Sequence, residues 1–332
     1  MSEMIQTDVL IVGAGLAGLN AARILKAEGV SAVLVDKGRS VGGRMATRRI
    51  GGGLADHGAQ FFTVRNPEFQ TMLDGWLADG LAFEWSRGWS DGSLAETRDG
   101  HPRYAIKGGM NALAKHLASG LDVRVNFKVE SAAHVDDGWR ITSEGGGMAR
   151  SRAVLLTAPV PQSLAMLDSG RAALSEADRR ALEAIRYEPC IAVMVVVDGD
   201  VRLPPPGAIQ RPHAPIYWIG DNRRKGISDV LVLTAQASAS YSHQLWDRTD
   251  EEIASAIRVD MMSIIGEQSQ IVEMEIKRWR YSQVTSTYSE RFLMADGLPS
   301  LVFAGDAFGE PRVEGAVLSG LAAGRALAAV LK

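Results

Sequence analysis

Short apolar runs and helical spacing alternate at the start of the chain. Residues 9–12 (VLIV) are apolar and mostly β-branched, which is typical of a buried parallel strand. Residues 16–26 carry apolar side chains at helical spacing, and residues 31–35 form a second strand-like run. Strand, helix and strand in this order predict an α/β fold built on a parallel sheet.

The same patterns predict the elements of the rest of the chain. Helices are expected over residues 111–119, 175–185, 250–265 and 313–331, with Ser175 as the N-cap of its helix. Strands are expected over residues 122–129, 139–143, 153–157, 191–197, 216–219, 230–235, 271–280 and 301–304. The runs between residues 122 and 157 are expected to form a β-meander. Prolines at 159 and 161 are expected to end the first domain, and the run 204–206 to be an edge turn.

Glycines mark the turn between the first strand and the first helix. Gly13 allows a tight turn, Gly15 lets backbone approach a pyrophosphate, and Gly18 lets the helix pack close to the strand. Asp36 follows 18 residues after Gly18, at the end of the second strand, where a ribose-binding carboxylate belongs. The motif predicts a dinucleotide site, and a glycine turn without a ligand is the alternative.

Composition narrows the class of protein. The 332 residues suffice for about two domains, and 46% hydrophobic and 23% charged residues are ordinary for a globular protein. A net charge of −3 gives no sign of a nucleic-acid or anionic-membrane surface. We expect no apolar run to span a bilayer, and no metal-binding spacing stands out. The one cysteine, Cys190, excludes an internal disulfide and is expected to be a buried core residue. We expect a cytoplasmic protein, a monomer or a homodimer.

A second glycine pair follows Asp36, as Gly42-Gly43-Arg44. With the first glycine motif and the acid, it resembles the flavin amine oxidase superfamily. The resemblance implies that FAD is bound, that Asp36 binds the adenosine ribose and that Arg44 helps to hold the diphosphate. Members usually have Glu where this chain has Asp36. The implied fold is a Rossmann-type FAD-binding domain of the amine-oxidase type over residues 1–65, 103–160 and 296–332. An α+β substrate domain is inserted over residues 66–102 and 161–295.

The resemblance extends to other segments. It places the segment 56–63 beside the isoalloxazine, backbone near Val129 at the adenine, Asp306 at the ribityl chain or diphosphate, and the start of the last helix at the flavin N1–O2 edge. His57 is a candidate base, although a structural histidine is the more common case. The residues expected to bind FAD are Gly13, Gly15, Leu16, Ala17, Gly18, Asp36, Lys37, Gly43, Arg44, Met45, His57, Gly58, Ala59, Gln60, Val129, Gly305, Asp306, Val313, Glu314, Gly315 and Ala316.

The substrate half resembles the renalase family and its bacterial members. The similarity lies in GGRMATRR, D-x-GAQ-F-T, the Pro-Val-Pro segment, the histidine of SYSHQLWD and WRYSQVT. It implies an oxidase that takes a hydride from 2- and 6-dihydro isomers of NAD(P), and that yields NAD(P)⁺ and, with O2 as acceptor, H2O2. His243, Arg280 and Tyr281 match motif positions and would line the substrate face. Their alternatives are a core histidine, a surface ion pair and a packed ring.

Arg312 stands where amine oxidases place an aromatic residue, two positions before the Glu-Gly of the last helix. A guanidinium there would repel a protonated amine and favour an anionic or phosphate-bearing substrate, whereas a surface arginine is the alternative. No cysteine lies near this helix, so FAD is expected to be noncovalent unless a histidine such as His57 attaches it. A flavin amine oxidase, a related desaturase, and a scaffold that resembles the Rab GDP-dissociation inhibitors and has no catalytic role remain the alternative functions.

Overall fold

The computed structural model describes residues 4–95, 99–136 and 138–332. Its helices are α1 (Leu16–Ala27), α2 (Pro67–Ala78), α3 (Asn111–Ala118), α4 (Val160–Gly170), α5 (Glu176–Glu183), α6 (Ala239–Leu245), α7 (Asp250–Met261) and α8 (Arg312–Leu331). Its strands are β1 (Ile5–Val12), β2 (Ala32–Val35), β3 (Thr47–Ile50), β4 (Gly53–Asp56), β5 (Ala82–Ser86), β6 (Arg103–Ile106), β7 (Asp122–Arg124), β8 (Val129–Val135), β9 (Gly138–Ser143), β10 (Met148–Leu156), β11 (Arg186–Asp198), β12 (Ala208–Gln210), β13 (Ile216–Asp221), β14 (Val232–Ala237), β15 (Gln270–Ser286), β16 (Leu293–Met294) and β17 (Leu301–Phe303).

The chain forms two compact units, which comprise, within the described residues, Met1–Gly43, Ala114–Arg186 and Val284–Lys332 for the first and Arg44–Leu113 and Tyr187–Gln283 for the second. The bounds expected from the sequence differ from these. Residues 44–65 and 103–113 group with the second unit, because β4 hydrogen-bonds to the segment before β14 and to β14 itself. Residues 161–186 and 284–295 group with the first. The two prolines do not end that unit, because Pro159 is the N-cap of α4 and Pro161 lies in its first turn, where proline is tolerated.

The first unit is built on a sheet in the order β16-β17-β10-β1-β2-β7. Strands β17, β10, β1, β2 and β7 are parallel, and β8 and β9 continue from β10 as an antiparallel meander. Leu10 and Ile11 are fully buried, as their apolar run predicts. The expected strand 122–129 is in fact two strands, because Asn126 has a positive φ of 56° between β7 and β8.

Helix α8 packs on α1 through glycine. A Cβ on Gly320 would lie 2.2 Å from the carbonyl oxygen of Ala17, so the two helix backbones touch there. Contrary to the expectation of no membrane-spanning run, α8 is long and apolar enough to cross a bilayer by length and composition. However, 61% of its most apolar window is buried within the fold, which is the burial of a core helix.

The second unit is built on the sheet β12-β13-β14-β11-β15. The apolar residues Ile253, Ile257 and Met261 of α7 lie in the core that covers one face of this sheet. The hairpin β3–β4 packs on the other face, where Ile50 and Ala55 meet side chains of β11 and β14. The helices α1, α3, α5, α7 and α8 and the strands β1, β2, β7, β9, β10, β11, β13, β14, β15 and β17 are those that the sequence predicts, although β10, β11 and β15 are longer than expected. The sequence analysis does not predict the helices α2, α4 and α6 or the strands β3, β4, β5, β6, β8, β12 and β16. Ser175 caps α5 as expected, because its hydroxyl accepts the amide proton of Asp178.

Candidate functional site

Two glycines of the first motif are required by the fold itself. Gly13 has a φ of 112°, and a Cβ there would lie 2.4 Å from Oγ1 of Thr157. That hydroxyl donates to the Gly13 carbonyl oxygen at 3.0 Å. A Cβ on Gly18 would lie 2.0 Å from the same oxygen. The tight turn and the close packing of α1 predicted for these glycines are therefore confirmed.

Gly15 is different, because nothing in the described protein requires it. Its φ is −79°, which any residue adopts, and no described atom lies within 4 Å of a Cβ built there. No described side chain caps α1, so its first amides, at the positive end of the helix dipole, keep no side-chain partner among the described residues. The absence of a side chain at Gly15 thus leaves space for a bound molecule. Space and unclaimed amides at Gly15, Leu16 and Ala17 fit a pyrophosphate.

Asp36 is fixed beside that turn. Its Oδ2 accepts the amide proton of Ala14 at 2.8 Å and its Oδ1 that of Gly38 at 2.7 Å, and its carbonyl oxygen accepts from the Phe127 amide at 2.8 Å. Val129 begins β8 two residues later, so backbone expected at the adenine lies near the carboxylate expected at the ribose. The backbone amides of Ala14 and Gly38 therefore fix the orientation of the Asp36 carboxylate, although its side chain is shorter than that of the usual glutamate. Lys37 is exposed and donates to Gln162 on α4.

The second glycine pair meets the first motif within the first unit. The amide of Gly42 donates to the carbonyl oxygen of Ala14 at 2.8 Å, and a Cβ on Gly43 would lie 3.8 Å from Cα of Gly15. The second glycine pair, on which the resemblance to the flavin superfamily rests, therefore borders the space beside Gly15.

The far end of the chain returns to this sheet at β17. Gly305 follows with a φ of 140°, and its amide donates to Oγ of Ser319 at 2.8 Å. Asp306 is half-buried, and α8 then begins without a side-chain cap among the described residues. Arg312 is exposed and has a φ of 83°, a strained conformation for a residue with a side chain. Of the first-turn residues expected at the flavin, Val313, Glu314 and Gly315 are buried and Ala316 is half-buried.

In the second unit, the segment after Arg44 lies against the loop 57–60. The amide of Ala59 donates to the carbonyl oxygen of Arg44 at 2.8 Å, and that of His57 to Ala46 at 3.1 Å. A Cβ on Gly58 would lie 1.9 Å from the Arg44 oxygen. This contact of two backbones therefore requires glycine at 58. Met45 is buried.

A buried ion pair that sequence reasoning missed holds this loop. Nζ of Lys225 donates to Oδ2 of Asp56 and to the Gln60 carbonyl oxygen, both at 2.5 Å, and both charged side chains are inaccessible to solvent. The other carboxylate oxygen of Asp56 accepts from Oγ1 of Thr47 at 2.5 Å and from the Met110 amide at 2.8 Å. The partners lie 169 residues apart, so no local pattern reveals them.

His57 is a neutral ring in a stack. It lies 5.4 Å from the Trp279 ring at an interplanar angle of 20°, and its carbonyl oxygen accepts from Trp279 Nε1 at 2.8 Å. Burial, followed by the positive charges of Lys277 and Arg48, lowers its pKa to about 4. Its Nδ1 is buried and has no hydrogen-bond partner among the described residues. At neutral pH this imidazole is a weak base, which counts against the role of general base.

The three motif residues expected on one substrate face divide between two. Side chains alternate along β15, so Arg280 and Tyr281 point to opposite sides. The Arg280 guanidinium lies 4.9 Å from the Trp246 ring at the end of α6, and exposed His243 of α6 pairs with Glu188 at 2.8 Å. Tyr281 is half-buried and meets the ring of Tyr187 at 5.5 Å.

Arg280 and His243 are thus exposed residues on the helix side. His243 is not the core histidine of its alternative, because it is exposed and pairs with Glu188, and the contact that Arg280 makes is with the Trp246 ring. Tyr281 follows the parity of Trp279, whose ring reaches His57. On the same segment, Nη1 of Arg44 donates to the Ser282 carbonyl oxygen at 3.2 Å. Tyr281 therefore lies on the face of β15 whose Trp279 ring meets the loop 57–60, and Arg280 and His243 lie on the other.

Comparisons with known proteins agree with this construction. The family model of flavin containing amine oxidoreductases matches residues 91–328, and that of an NAD(P)-binding Rossmann-like domain matches residues 11–76. Renalase of Mus musculus is 26% identical over 94% of this chain and 96% of its own length. Hydroxyneurosporene desaturase of Rubrivivax gelatinosus is 42% identical, over 20% of this chain and 13% of its own.

Among solved structures, putrescine oxidase bound to putrescine superposes with a TM-score of 0.75 at 17% identity, over 98% of this chain and 100% of that one. That similarity shows the fold. The cofactor expected from the sequence is likewise supported, because the residues that fit a pyrophosphate and a ribose stand in the region that the Rossmann-like model matches. The chain therefore belongs to the flavin containing amine oxidoreductases, as a renalase-like oxidoreductase whose cofactor is FAD.

Proposed function

We propose that this protein is an oxidase that takes a hydride from 2- and 6-dihydro isomers of NAD(P) and releases NAD(P)⁺, with O2 as acceptor and H2O2 as second product. One observation carries the proposal. Within the second unit, Arg44 of the GGRMAT segment donates to the Ser282 carbonyl oxygen of WRYSQVT, and Trp279 of WRYSQVT stacks on His57 of the D-x-GAQ-F-T segment. The motifs thus build one structural feature.

Bound FAD supplies the acceptor for the hydride and passes the electron pair to O2. In the proposal, the α1 amides and Asp306 hold its diphosphate side and Asp36 its adenosine ribose. These assignments use groups that the fold fixes and leaves accessible, above all Gly15. FAD is proposed to be bound noncovalently. The one cysteine, Cys190, is buried in β11, and burial raises the pKa of its thiol to about 12.

The protonation states in the second unit suit this reaction. Oxidation of a dihydropyridine to a pyridinium gives up a hydride and needs no base. The pKa of His57 is lowered to about 4, so its imidazole is a weak base, and the raised pKa of Cys190 keeps its thiol protonated; neither group is suited to remove a proton from a substrate. Arg312, exposed at the start of α8, supports a phosphate-bearing substrate over an amine.

The test is anaerobic. Purified holoprotein is mixed with borohydride-reduced NAD⁺, which contains the dihydro isomers, and the oxidised-flavin absorbance is followed beside pure NADH. We expect the isomer mixture to bleach the flavin absorbance rapidly and NADH to bleach it slowly. When air is admitted, one molecule of H2O2 should form for each molecule of dihydro isomer consumed. Bleaching by plain amines, with none by the isomer mixture, would replace the proposal with amine oxidation. A colourless protein would contradict the assignment of FAD.

A further inference from the structure

Tyr217 and Gln236 form a hydrogen-bonded pair on neighbouring strands of the second unit. The Tyr217 hydroxyl donates to Oε1 of Gln236 at 2.9 Å, and Nε2 of Gln236 donates to the Gly58 carbonyl oxygen at 2.8 Å. A carbonyl oxygen only accepts, so it fixes which end of the amide faces Gly58. The Tyr217 proton is then committed to Gln236. Both side chains are therefore held in one hydrogen-bonding pattern.

That pattern leaves one acceptor and one donor. The phenol oxygen of Tyr217 keeps its lone pairs after donating its proton, and Nε2 of Gln236 keeps its second N–H. A primary carboxamide offers the complementary set, an N–H that donates and an oxygen that accepts. A carboxylate only accepts, so it matches half of the pair. The chemistry selects an amide over an acid.

The surroundings suit a flat amide-bearing ring. Tyr217 is half-buried and packs against the aromatic cluster of Trp89 and Trp218, which Phe61 joins. Gln236 is 8% exposed. Burial raises the pKa of the Tyr217 phenol, so the hydroxyl remains protonated and the pattern persists at neutral and mildly alkaline pH.

Its place on the loop links the pair to the reaction. Gly58, to which Gln236 bonds, belongs to the loop 57–60 that the resemblance sets beside the isoalloxazine. Across the sheet, the core on the α7 side includes Tyr241, a tyrosine with no part in this pattern. The second unit thus has the Tyr217–Gln236 pair beside the loop 57–60 and, in the core on the other side of the sheet, Tyr241, which serves as a control tyrosine.

We infer that Tyr217 and Gln236 recognise the carboxamide of the substrate, with the Tyr217 oxygen accepting from the amide N–H and Gln236 donating to the amide oxygen. The inference rests on the proposed function, which makes the substrate a dihydronicotinamide. It adds a specificity that the function does not require, because hydride transfer from the ring proceeds with an amide or an acid at its 3-position.

The test compares amide and acid. Borohydride-reduced NAD⁺ and borohydride-reduced deamido-NAD⁺, whose ring bears a carboxylate, are given to the wild type and to Tyr217→Phe, with Tyr241→Phe as the matched control. Flavin content and Tm of each variant establish that it is folded. We expect the wild type to prefer the amide in kcat/KM, and Tyr217→Phe to lose about fivefold to tenfold of that preference, the range of one hydrogen bond. Tyr241→Phe should keep it.

A parallel titration separates this inference from the proposed function. The same proteins are titrated with NAD⁺ and deamido-NAD⁺ by calorimetry, which needs no turnover. The Kd of deamido-NAD⁺ divided by that of NAD⁺ is expected to be above one for the wild type and to fall with Tyr217→Phe. If the isomers are oxidised but Tyr217→Phe lowers the amide and acid rates equally, the pair has a structural role and the inference is overturned. If no isomer is oxidised, the proposed function fails, and a wild-type Kd ratio near one then overturns the inference as well.

Discussion

Protonation of His57 gives the sharpest quantitative test of the structure. The ring is buried against Trp279, and burial together with Lys277 and Arg48 lowers its pKa from 6.5 to about 4. In the unfolded chain the ordinary value applies. As the pH falls below 6.5, the imidazole becomes protonated in the unfolded state, whereas in the folded state it stays neutral until the pH approaches its lowered pKa of about 4. This group therefore stabilises the fold fully above pH 6.5, and its contribution is lost between those two values.

The magnitude follows from the difference of about 2.5 pKa units between 6.5 and 4. At about 1.36 kcal/mol per unit, the free energy of unfolding should lose about 3 kcal/mol when the window has been crossed, and about 2 kcal/mol of it by pH 5. Other titrating groups contribute to the total slope. The informative quantity is therefore the difference between the wild type and a variant without this imidazole.

The assay is urea unfolding of FAD-saturated protein at pH 7, 6 and 5, for the wild type and His57→Gln. Tryptophan fluorescence suits it, because six of the seven tryptophans lie in the second unit with His57. His116→Gln, at an exposed position of α3, controls for the loss of an imidazole. We expect the stability advantage of the wild type over His57→Gln to shrink by about 2 kcal/mol from pH 7 to pH 5. Equal pH slopes in the two proteins would refute the buried, neutral ring.

Two further variants test the cofactor residues and the buried pair. Asp306→Ala should weaken FAD binding about tenfold or more, because a hydrogen bond to a charged group contributes about 1.5–3 kcal/mol; flavin content after dialysis measures it beside Asp296→Ala, an exposed control, and equal retention would count against the assignment. Lys225→Met should lower the free energy of unfolding by about 3–5 kcal/mol, since it leaves the Asp56 carboxylate buried without its cation. Urea unfolding at pH 7 measures this loss, which Asp56→Asn in the same chain should partly restore, and a loss below about 1 kcal/mol would contradict the pair's role.

The cofactor half could be predicted because its information is local. The turn between β1 and α1, the acid at the end of β2 and the strand before Asp306 each occupy a few consecutive residues, and parallel strands bring their carboxyl ends to one edge. The structure adds the reason for each glycine. Gly13 and Gly18 serve the fold, whereas Gly15 has space around it that no described residue uses. Only coordinates separate these two reasons.

The boundaries of the units could not be predicted, because they depend on which surface a segment covers. Residues 44–65 follow the dinucleotide motif directly in sequence, yet β3 and β4 bury Ile50 and Ala55 against the sheet of the second unit. The proline at 161 favours the end of a domain by sequence alone, since proline ends strands. It lies instead in the first turn of α4, where its missing amide proton costs nothing. In both cases, the unit assigned to residues 44–65 and the role of Pro161, the local sequence allows two structures, and tertiary packing decides between them.

The substrate motif shows a different limit. Its letters stand together in WRYSQVT, and consecutive letters suggest one site. On a strand they cannot form one, because neighbouring side chains leave the sheet on opposite faces. The sequence contains this parity, so Arg280 and Tyr281 could have been separated as soon as residues 271–280 were assigned to a strand. Which parity faces the loop 57–60 was not accessible, because that choice is made by the Trp279 ring on His57, a contact across 222 positions. The same holds for Tyr217 and Gln236, which no motif contains and which meet because β13 and β14 are paired.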